Sequence, residues 1–550
     1  MSEQREQIAV QVKNGPLRRY PWGTTVAAVS RDETSRSRIV AAMVNNEMKD
    51  LRFPLAEDST VEFIDLYSET GIKVYQRSLA FVLITAAAEL FPDVDVTVEH
   101  SLSKGLYCEL HRNGRGVTAA DVTALEERMR YIIAEDRAIS HKRMSRQEAG
   151  ELFAKAGQAE KSKLLMQMDM DHVDLYYCGL SFDYFYEILV PSTGYLGLFE
   201  LKYYPPGIIL RFPSQENPHV LPPFEEHPNL AKVFLEAEQW GKIMGCGYVS
   251  DLNEYIRSGQ ISDVIQVAEA LHEKKIAHIA DFIAVRRGAV RIILIAGPSS
   301  SGKTTFAQRL TIQLRVNGLR PVSVSLDDYF VDRHLTPVDE NGDYDFEAIE
   351  AIDLELFNNH LIQLLDGEEV EIPYYNFVTG RRERRGKTVR ISRDQPLIIE
   401  GIHGLNERLT ASVPRENKVK IYISALTQLS IDNHNRIPTT DTRLIRRLVR
   451  DSKFRSHDAV GTLKMWPSVR RGEERHIFPF QEEADIMFNS ALIYELAVLK
   501  QQAVTLLENV DHREQVYSEA RRLLSFLAYF HAAGPEHIPL NSIMREFIGS

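Results

Sequence analysis

Cysteine, long apolar runs and excess basic charge are all scarce in this 550-residue chain. Its three cysteines (Cys108, Cys178 and Cys246) lie far apart without a CxxC pair, which argues against a disulfide framework or zinc ribbon and favours a reducing compartment. No apolar run approaches membrane-spanning length, and the opening stretch MSEQREQIAV lacks the apolar core of a signal peptide. We therefore expect a cytoplasmic protein with no membrane partner.

The charge balance of the chain is acidic. Asp and Glu total 77 against 65 Lys and Arg, which gives a net charge of −12. This balance argues against broad coating of nucleic acid, although a local basic groove remains compatible with it. The composition, 44% hydrophobic and 26% charged, is typical of globular proteins, and the length exceeds what one hydrophobic core supports. We expect two to four domains.

The strongest motif is a phosphate-binding loop. After the apolar run 292–296, the stretch GPSSSGKT fits the pattern G-x-x-x-x-G-K-[ST]. Glycines let backbone N–H groups approach phosphate oxygens, and the following helix directs its positive end at the same anion. A chance glycine-serine turn is the alternative, which the strand before and the helix after disfavour. The predicted ATP-binding residues are Gly297, Ser299, Ser300, Ser301, Gly302, Lys303, Thr304 and Thr305.

Carboxylates follow two predicted strands downstream of this loop. In PVSVSLDDYF, apolar residues alternate with serines until Asp327 and Asp328, and the buried strand in QPLIIEGIHGLN ends in Glu400. Ligands bind at the carboxyl ends of parallel strands in such sheets. One aspartate could take a proton from an attacking hydroxyl or hold Mg²⁺. The alternative is a turn or helix-capping pair.

An arginine-rich helix is predicted in DTRLIRRLVRD, residues 441–451. Its apolar residues share one face, and its arginines share the other. Such a face could clamp transferring phosphates in a closing lid, whereas the alternative is an ordinary solvated face. The arginines are Arg443, Arg446, Arg447 and Arg450.

Sequence texture also divides the chain. Short alternating runs indicate a β-rich module, and mixed strands and helices indicate an α+β domain that a proline-rich stretch closes. A helical linker leads into alternating strands and helices, which favour a parallel sheet with helices on both faces, and a helical segment follows. The expected parts are 1–65, 66–210, 211–287, 288–500 and 501–550.

The order of the motifs across 288–455 resembles the uridine kinase family of P-loop nucleoside kinases. The resemblance implies transfer of phosphate from ATP, with Mg²⁺, to a hydroxyl of a nucleoside or nucleoside-like small molecule. The implied catalytic residues are Asp327 as base, Lys303, Arg446 and Arg450. The implied Mg²⁺ ligands are Thr304, Asp327 and Glu400. With the basic cluster 381–390, the expected acceptor contacts are Phe346, Glu347, Tyr375, Arg382 and Arg455.

The chain departs from this family in its acceptor region. Glu347 stands where the family has a ribose-binding aspartate, and Gly380 replaces a histidine that contacts the base. Loss of a hydrogen-bond donor to the base should relax or change base choice, so uridine is not the required acceptor. Beyond Arg455 the match fades, and a stretch with Trp466 and several arginines forms either a different acceptor pocket or a surface hairpin with a docked tryptophan.

Residues 1–210 resemble the front end of threonyl-tRNA synthetase, in which a ubiquitin-like TGS module precedes an editing domain. DLRFPLAEDSTVEFIDL and VYQRSLAFVLITAAAELFPDVDVTVEHSLSKGLYCEL carry the resemblance. The family's paired editing histidines are replaced by Arg77 and Phe81, and Cys178 is kept while its partner histidine becomes Phe182. Without imidazoles no base titrates near neutrality, so we expect no editing and a retained binding or regulatory fold.

Three functions remain open at this point. The first is an ATP-dependent kinase, and the second is an RNA-linked factor in which ATP binding gates a tRNA- or ribosome-binding amino-terminal half. The third is a sensor that binds nucleotide without turnover. Asp327 favours the kinase over the sensor, since a sensor needs no base beside the γ-phosphate. The lack of a dense Lys/Arg stripe in 1–210 disfavours nucleic acid as a partner without excluding it, and a homo-oligomer stays open.

Overall fold

The amino-terminal part of the chain forms a small β-rich module. The computed structural model describes residues 6–13, 15–91, 93–111, 116–339, 342, 344–384 and 386–549. The elements of the module are β1 (Gln7–Val12), β2 (Leu17–Pro21), α1 (Val26–Ser30), β3 (Ile39–Val44), β4 (Glu47–Lys49) and β5 (Ser59–Asp65). Its sheet has the order β2-β1-β5-β3-β4, in which β1 and β5 are parallel and the other pairs are antiparallel.

The second region packs two antiparallel sheets with helices. Its elements are α2 (Glu69–Leu90), β6 (Asp95–Leu102), β7 (Gly105–His111), α3 (Ala119–Ala134), β8 (Ile139–Ser145), α4 (Arg146–Lys155), α5 (Ala159–Gln167), β9 (His172–Cys178), β10 (Ser181–Tyr184), β11 (Glu200–Tyr204) and β12 (Gly207–Arg211). The sheets have the orders β11-β12-β7-β6 and β10-β9-β8. Apart from Thr85, whose hydroxyl donates to the carbonyl of Phe81, helix α2 is apolar on every side from Leu79 to Ala87, and it lies buried in the core of the region for that reason.

Three helices connect this region to the carboxy-terminal half. They are α6 (Pro228–Met244), α7 (Val249–Arg257) and α8 (Ile261–Ala284). Proline at the first position of α6 suits a helix start, and Gly245 ends that helix in a left-handed conformation with φ of 59°. The expected helical linker over 211–287 contains these helices.

The carboxy-terminal half is built on a five-stranded parallel sheet. Its elements are β13 (Ile292–Ala296), α9 (Lys303–Val316), β14 (Val322–Ser325), α10 (Leu354–Leu365), β15 (Val370–Glu371), β16 (Tyr374–Asn376), β17 (Arg381–Glu383), β18 (Thr388–Val389), β19 (Leu397–Glu400), β20 (Lys418–Ser424), α11 (Thr439–Phe454), α12 (Ala459–His476), β21 (Ile486–Asn489), α13 (Glu495–Glu508), α14 (Tyr517–Leu527) and α15 (Arg545–Ile548). The strand order is β14-β19-β13-β20-β21, with every pair parallel.

Both faces of this sheet are covered. In β13, Ile293 and Ile295 belong to the same core as α9 and α11, whereas Ile292 and Leu294 belong to the core that includes α10. A strand buried on both sides reads as a continuous apolar run, which is how this strand appears in the sequence. The expected fold class is confirmed: an α/β P-loop domain follows a β-rich module and an α+β domain. The expected boundary at residue 500 falls inside α13.

The amino-terminal half docks on the loop between β20 and α11. The backbone N–H of Val98 donates to the carbonyl of Asn433 at 2.8 Å, and the Tyr184 hydroxyl donates to Asp432 at 2.5 Å. Arg436 in the same loop donates to the hydroxyl of Ser101 at 2.8 Å. This loop leads directly into the arginine-rich helix, so the two halves meet next to the candidate site.

Candidate active site

The predicted phosphate-binding loop lies between β13 and α9. A Cβ at Gly297 would collide with the carbonyl of Ile423, so the tight exit from the strand requires glycine. Gly302 caps α9 with φ of 82°, a conformation that also favours glycine. The loop therefore presents the N-terminal N–H groups of α9 to one point, which is the arrangement that holds phosphate. Lys303 folds over this loop and donates to the carbonyl of Pro298 at 3.0 Å.

Two carboxylates stand at the ends of the neighbouring strands. Strand β19 lies between β13 and β14, and its last residue, Glu400, pairs in register with Ile295 and Ser325. The hydroxyl of Thr304 donates to Glu400 Oε1 at 3.2 Å. Asp327 follows β14 in a short 3₁₀ turn over Leu326–Tyr329. The structure thus places the predicted Mg²⁺ ligands at one edge of the sheet.

The charges of this cluster act on one another. Burial raises the pKa of Asp327, and the nearby charges of Lys303, Arg455 and Arg450 oppose that rise. Burial and the Asp327 carboxylate raise the pKa of Glu400 to about 7, against the opposing charge of Lys303. Burial lowers the pKa of Lys303, while the two carboxylates counteract this effect. Such mutual perturbation among buried charged groups is typical of functional sites.

Helix α11 packs directly against the phosphate-binding loop. Arg443 Nε donates to the carbonyl of Ser299 at 2.9 Å, and Arg447 Nη1 donates to the Ser299 hydroxyl at 2.9 Å. Arg446 Nη1 donates to the carbonyl of Ser300 at 3.3 Å. Both faces of α11 are buried from Asp441 to Asp451, so the alternative of a solvated arginine face is wrong. The arginines instead line the loop that would hold the nucleotide.

The arginines predicted to act in catalysis have carboxylate partners in this structure. Arg446 is fully buried, and its Nε donates to Glu495 at 2.8 Å. Arg450 Nη2 lies 2.7 Å from Asp451, whose carboxylate also lies 3.8 Å from Arg455 Nε. Arg447 Nε also lies 3.2 Å from Asp451, so three arginines share this one carboxylate and together keep excess positive charge. The catalytic role of Arg446 and Arg450 stays a prediction.

An aromatic cluster gathers most of the predicted acceptor contacts. Phe330 lies 5.5 Å from Tyr375 and 6.5 Å from Phe346, measured between ring centroids. Tyr375 lies 5.0 Å from Phe377, and the Arg455 guanidinium lies 5.8 Å from the Phe377 ring. Phe330 and Tyr375 are buried within this cluster, whereas Phe377 is exposed. The ring surface that is open to a ring-bearing acceptor is therefore mainly that of Phe377, with the Arg455 cation beside it.

The two remaining predicted acceptor contacts differ in their surroundings. Burial raises the pKa of Glu347 to about 7, while the charge of Arg447 opposes the rise. Helix α12 closes over Glu347 so tightly that a Cβ on Gly472 would collide with it. Arg382 instead donates to Asp353 at 2.8 Å, and Asp353 caps the N-terminus of α10. Its side chain is therefore held by a structural partner.

The stretch beyond Arg455 is helical, and the alternative of a surface hairpin is wrong. It forms α12 over Ala459–His476 with Pro467 inside the helix. Trp466 is buried and lies 5.4 Å from the Arg443 guanidinium. Arg471 Nη2 donates to Asp339 at 2.9 Å. A different acceptor pocket formed by this stretch remains a prediction.

Two glutamates that contact the phosphate-binding loop were not predicted. Glu473 of α12 accepts the backbone N–H of Ser299 at 2.9 Å, from 174 positions away. Glu546 of α15 accepts the N–H of Thr305 at 3.3 Å and its hydroxyl at 2.9 Å, from 241 positions away. Neither lies in a motif, and only the packing of distant helices brings these carboxylates to the loop.

The positions of the lost editing residues are packed and paired. Arg77 forms an ion pair with Glu187 and donates to the carbonyl of Ile188 at 2.9 Å. Phe81 is fully buried, 5.4 Å from Phe185 between ring centroids. Burial raises the pKa of the Cys178 thiol, so its reactive thiolate is disfavoured. Phe81 and Cys178 are therefore core residues, and Arg77 is one partner of an ion pair.

The fold and these groups define a P-loop kinase type of domain. Residues 292–496 match the model of the phosphoribulokinase / uridine kinase family. Among solved structures, one described as "Structure of a Possible Uridine Kinase from Bacillus stearothermophilus" is 21% identical, covering 39% of this chain and 98% of that chain with a TM-score of 0.28. A D-glycerate 3-kinase from Cryptococcus neoformans is 14% identical, covering 46% and 87% with a TM-score of 0.20.

The amino-terminal region of about 190 residues matches threonine–tRNA ligases. The ligase of Desulforamulus reducens is 33% identical over 195 residues, which is 34% of this chain and 30% of the ligase. Threonine–tRNA ligase 2 of Bacillus subtilis is 30% identical over 197 residues, 35% of this chain and 31% of the ligase. The chain thus spans under a third of the length of these curated relatives. The resemblance of its two halves to these two families is confirmed.

Two features are absent from the part of the chain that the structure describes. No helix in this part is both long and apolar enough to cross a membrane. Within the same residues, no group of three or more His, Cys, Asp or Glu side chains is arranged to hold a metal ion. Mg²⁺ in phosphoryl-transfer sites uses one or two carboxylates with substrate phosphates, so the pair Asp327 and Glu400 remains a suitable donor set.

Proposed function

We propose that this protein is an ATP-dependent phosphotransferase that phosphorylates a hydroxyl group of a nucleoside or nucleoside-like small molecule. The observation that carries the proposal is the meeting of a phosphate-binding loop with Asp327 and Glu400 at the ends of adjacent parallel strands. A protein that only binds nucleotide needs the loop but not a second carboxylate positioned beside it. The buried, unpaired cysteines support a cytoplasmic location as part of the same proposal.

The chemistry divides among the residues of the site. The N–H groups at the start of α9 hold the phosphates, and Lys303 neutralises the charge that develops on the transferring group. Asp327 takes the proton of the attacking hydroxyl, and its raised pKa makes it a better base than an exposed aspartate. Arg447 adds positive charge at the Ser299 hydroxyl of the loop, and the charge of Arg450 acts on Asp327.

The donor set fits magnesium. Thr304 offers a hydroxyl, and Asp327 and Glu400 offer carboxylates, which are the oxygen ligands that Mg²⁺ prefers. When bound, Mg²⁺ would supply charge neutralisation at the phosphate oxygens. The hydroxyl of Thr304 already lies within hydrogen-bond distance of Glu400, so these residues need little rearrangement to share one ion.

The test is a screen of nucleosides, sugars and other hydroxyl compounds for ATP-dependent phosphorylation by the full-length protein. Once an acceptor is found, Asp327→Asn should lower kcat by about 10²- to 10⁴-fold, the usual contribution of a positioned base. The affinity for ATP should change little, because the asparagine keeps the shape of the side chain. Lys303→Ala should weaken both ATP binding and turnover.

Asp328→Asn is the matched control, since it removes the neighbouring carboxylate from the same 3₁₀ turn. We expect this variant to retain most of the wild-type kcat. Equal activity of wild type and Asp327→Asn would refute the base assignment. Tight ATP binding with no phosphorylated product from any acceptor would instead favour the sensor alternative.

An RNA-linked factor is the second candidate function, and the match to threonine–tRNA ligases favours it. In this alternative, the amino-terminal half binds tRNA and ATP binding at the P-loop regulates it. Binding should then be detectable with unfractionated tRNA and should weaken steeply as salt increases. Stimulation of ATP hydrolysis by tRNA, without any small-molecule acceptor, would favour this function over the first.

A further inference from the structure

The carboxy-terminal segment 538–549 packs against the phosphate-binding loop and the first turn of α9. Glu546 Oε2 accepts both the backbone N–H and the hydroxyl of Thr305, at 3.3 and 2.9 Å. The Ile543 side chain is fully buried and packs against Gly302. A Cβ atom added at Gly302 would lie 2.6 Å from Ile543 Cγ2. The segment therefore contacts the loop at two points that flank Lys303.

The position of Glu546 is one where a nucleotide phosphate is expected. Backbone N–H groups in the first turn of a helix that follows a P-loop are the donors to phosphate oxygens. Thr305 lies in that first turn of α9, and a carboxylate is the protein group closest to phosphate in charge and hydrogen-bonding chemistry. One anionic oxygen of Glu546 thus takes the two donors that Thr305 would offer to ATP.

Other contacts hold the segment between the loop and α11. Phe547 is fully buried, and the Arg446 guanidinium lies 4.9 Å from its ring. Lys453 donates to the carbonyl of Ile548 at 2.7 Å. The predicted catalytic arginine helix thus grips the segment, while the Glu546 side chain itself is only half-buried.

The charge of Glu546 also reaches the rest of the site. It adds to the negative charge that favours protonation of Glu400, and it is one of the carboxylates that stabilise the charged form of Lys303. A triphosphate that approached this site would meet Glu546 as a like charge.

We propose that segment 538–549 is autoinhibitory, with Glu546 occupying the place of a nucleotide phosphate oxygen at Thr305. ATP then binds only when Glu546 leaves the loop. The inference rests on the proposed function, because it assumes that the loop binds ATP. The competition costs affinity, and anything that shifts the segment away from α9 raises the affinity for nucleotide.

The test compares nucleotide binding by the full-length wild type and Glu546→Ala. Binding of Mg²⁺ with a non-hydrolysable ATP analogue, adenosine 5′-(β,γ-imido)triphosphate, is measured by calorimetry. We expect the Kd to fall about 10- to 100-fold in the variant, because a charge-assisted hydrogen bond and a like charge no longer compete. Glu536→Ala, which removes an exposed carboxylate from the preceding loop, should leave the Kd unchanged.

Hydrogen exchange supplies a second, independent readout. In the wild type, the amides of 543–549 should exchange faster when the analogue is bound, because the segment is displaced. Glu546→Gln, which keeps the side-chain volume, replaces the alanine variant if that protein fails to fold, and it should show the same direction of change in Kd.

The possible results distinguish failure of the autoinhibition proposal from failure of the proposed kinase function. Equal affinity in wild type and variant with unchanged exchange, or weaker binding in the variant, would overturn autoinhibition while leaving the kinase proposal intact. Absence of analogue binding in wild type and variant alike would overturn both. Tighter binding in the Glu546 variants and faster exchange of the segment would support autoinhibition together with nucleotide binding at the loop.

Discussion

Replacing Asp183 with asparagine should weaken the junction between the two halves of the chain. Asp183 of β10 is fully buried and forms ion pairs with Lys161 of α5 and with His434 of the loop before α11. Lys161 is also buried, with 3% of its side chain exposed, and lies 3.7 Å from Asp432 of the same loop. The substitution removes the carboxylate that joins both halves and leaves Asp432, at 3.7 Å, as the carboxylate that faces the Lys161 charge.

The pKa shift of Asp183 and the usual cost of breaking a buried ion pair predict a similar loss of unfolding free energy. Burial alone would raise the pKa of Asp183, but the charges of Lys161 and His434 outweigh burial and lower this pKa from 3.8 to about 2. A shift of that size corresponds to about 2.5 kcal/mol, and removal of one partner of a buried ion pair costs about 3–5 kcal/mol. We expect Asp183→Asn to lower the free energy of unfolding of the junction by about 3 kcal/mol.

Urea unfolding of wild type and variant at pH 7 measures this loss, with limited proteolysis locating the region that opens first. Asp174→Asn is the matched control, because Asp174 is exposed on the adjacent strand β9. This control should stay within about 0.5 kcal/mol of the wild type. The double variant Lys161→Met with Asp183→Asn should recover part of the loss, since the buried Lys161 charge is then removed together with its nearer carboxylate partner.

The stabilising effect of Asp183 should depend on pH in a definite direction. The pKa of Asp183 is lower in the folded protein than in the unfolded chain, so its stabilising effect is complete above about pH 4. The effect should disappear as the pH falls from there towards 2, and the difference between wild type and variant should shrink over that range. An Asp183→Asn variant no less stable at pH 7 than the Asp174→Asn control would refute this account of the junction.

Two further predictions concern the acceptor side and the lost editing site. The assay uses saturating Mg²⁺ and ATP, so that Glu400 stays in one protonation state over the pH range. Under these conditions, kcat/KM for the acceptor should rise as the pH passes about 7, where Glu347 loses its proton. Glu347→Gln should remove this inflection, and a profile unchanged by the substitution would contradict a role for Glu347 in acceptor binding. Cys178→Ala should leave kinase turnover unchanged, because the thiol is buried in the core of the amino-terminal half. A large loss of turnover in that variant would show that the two halves are coupled through this position.

The sequence by itself determined the local pieces of this protein. The loop pattern from Gly297 to Thr304 fixes a strand-turn-helix unit, because its glycines are required by close approach and by left-handed φ. The apolar runs around Ile292 and Leu397 become strands buried on both faces, so their flanking carboxylates meet at one sheet edge. Periodicity also located α11 and its arginines, because helical spacing is a local property.

Only the tertiary structure decided which groups meet the loop and in what state. The arginines of α11 pointed to a lid or a solvated face, yet packing buries both faces of that helix against the loop and against neighbouring helices. Arg382 lies in a basic cluster, but its side chain is taken by Asp353. Glu473 and Glu546 carry no sequence signal, since contacts 174 and 241 positions apart depend on how helices dock rather than on local pattern. Neighbouring residues determine local secondary structure, whereas long-range packing determines which side chains contact the phosphate-binding loop.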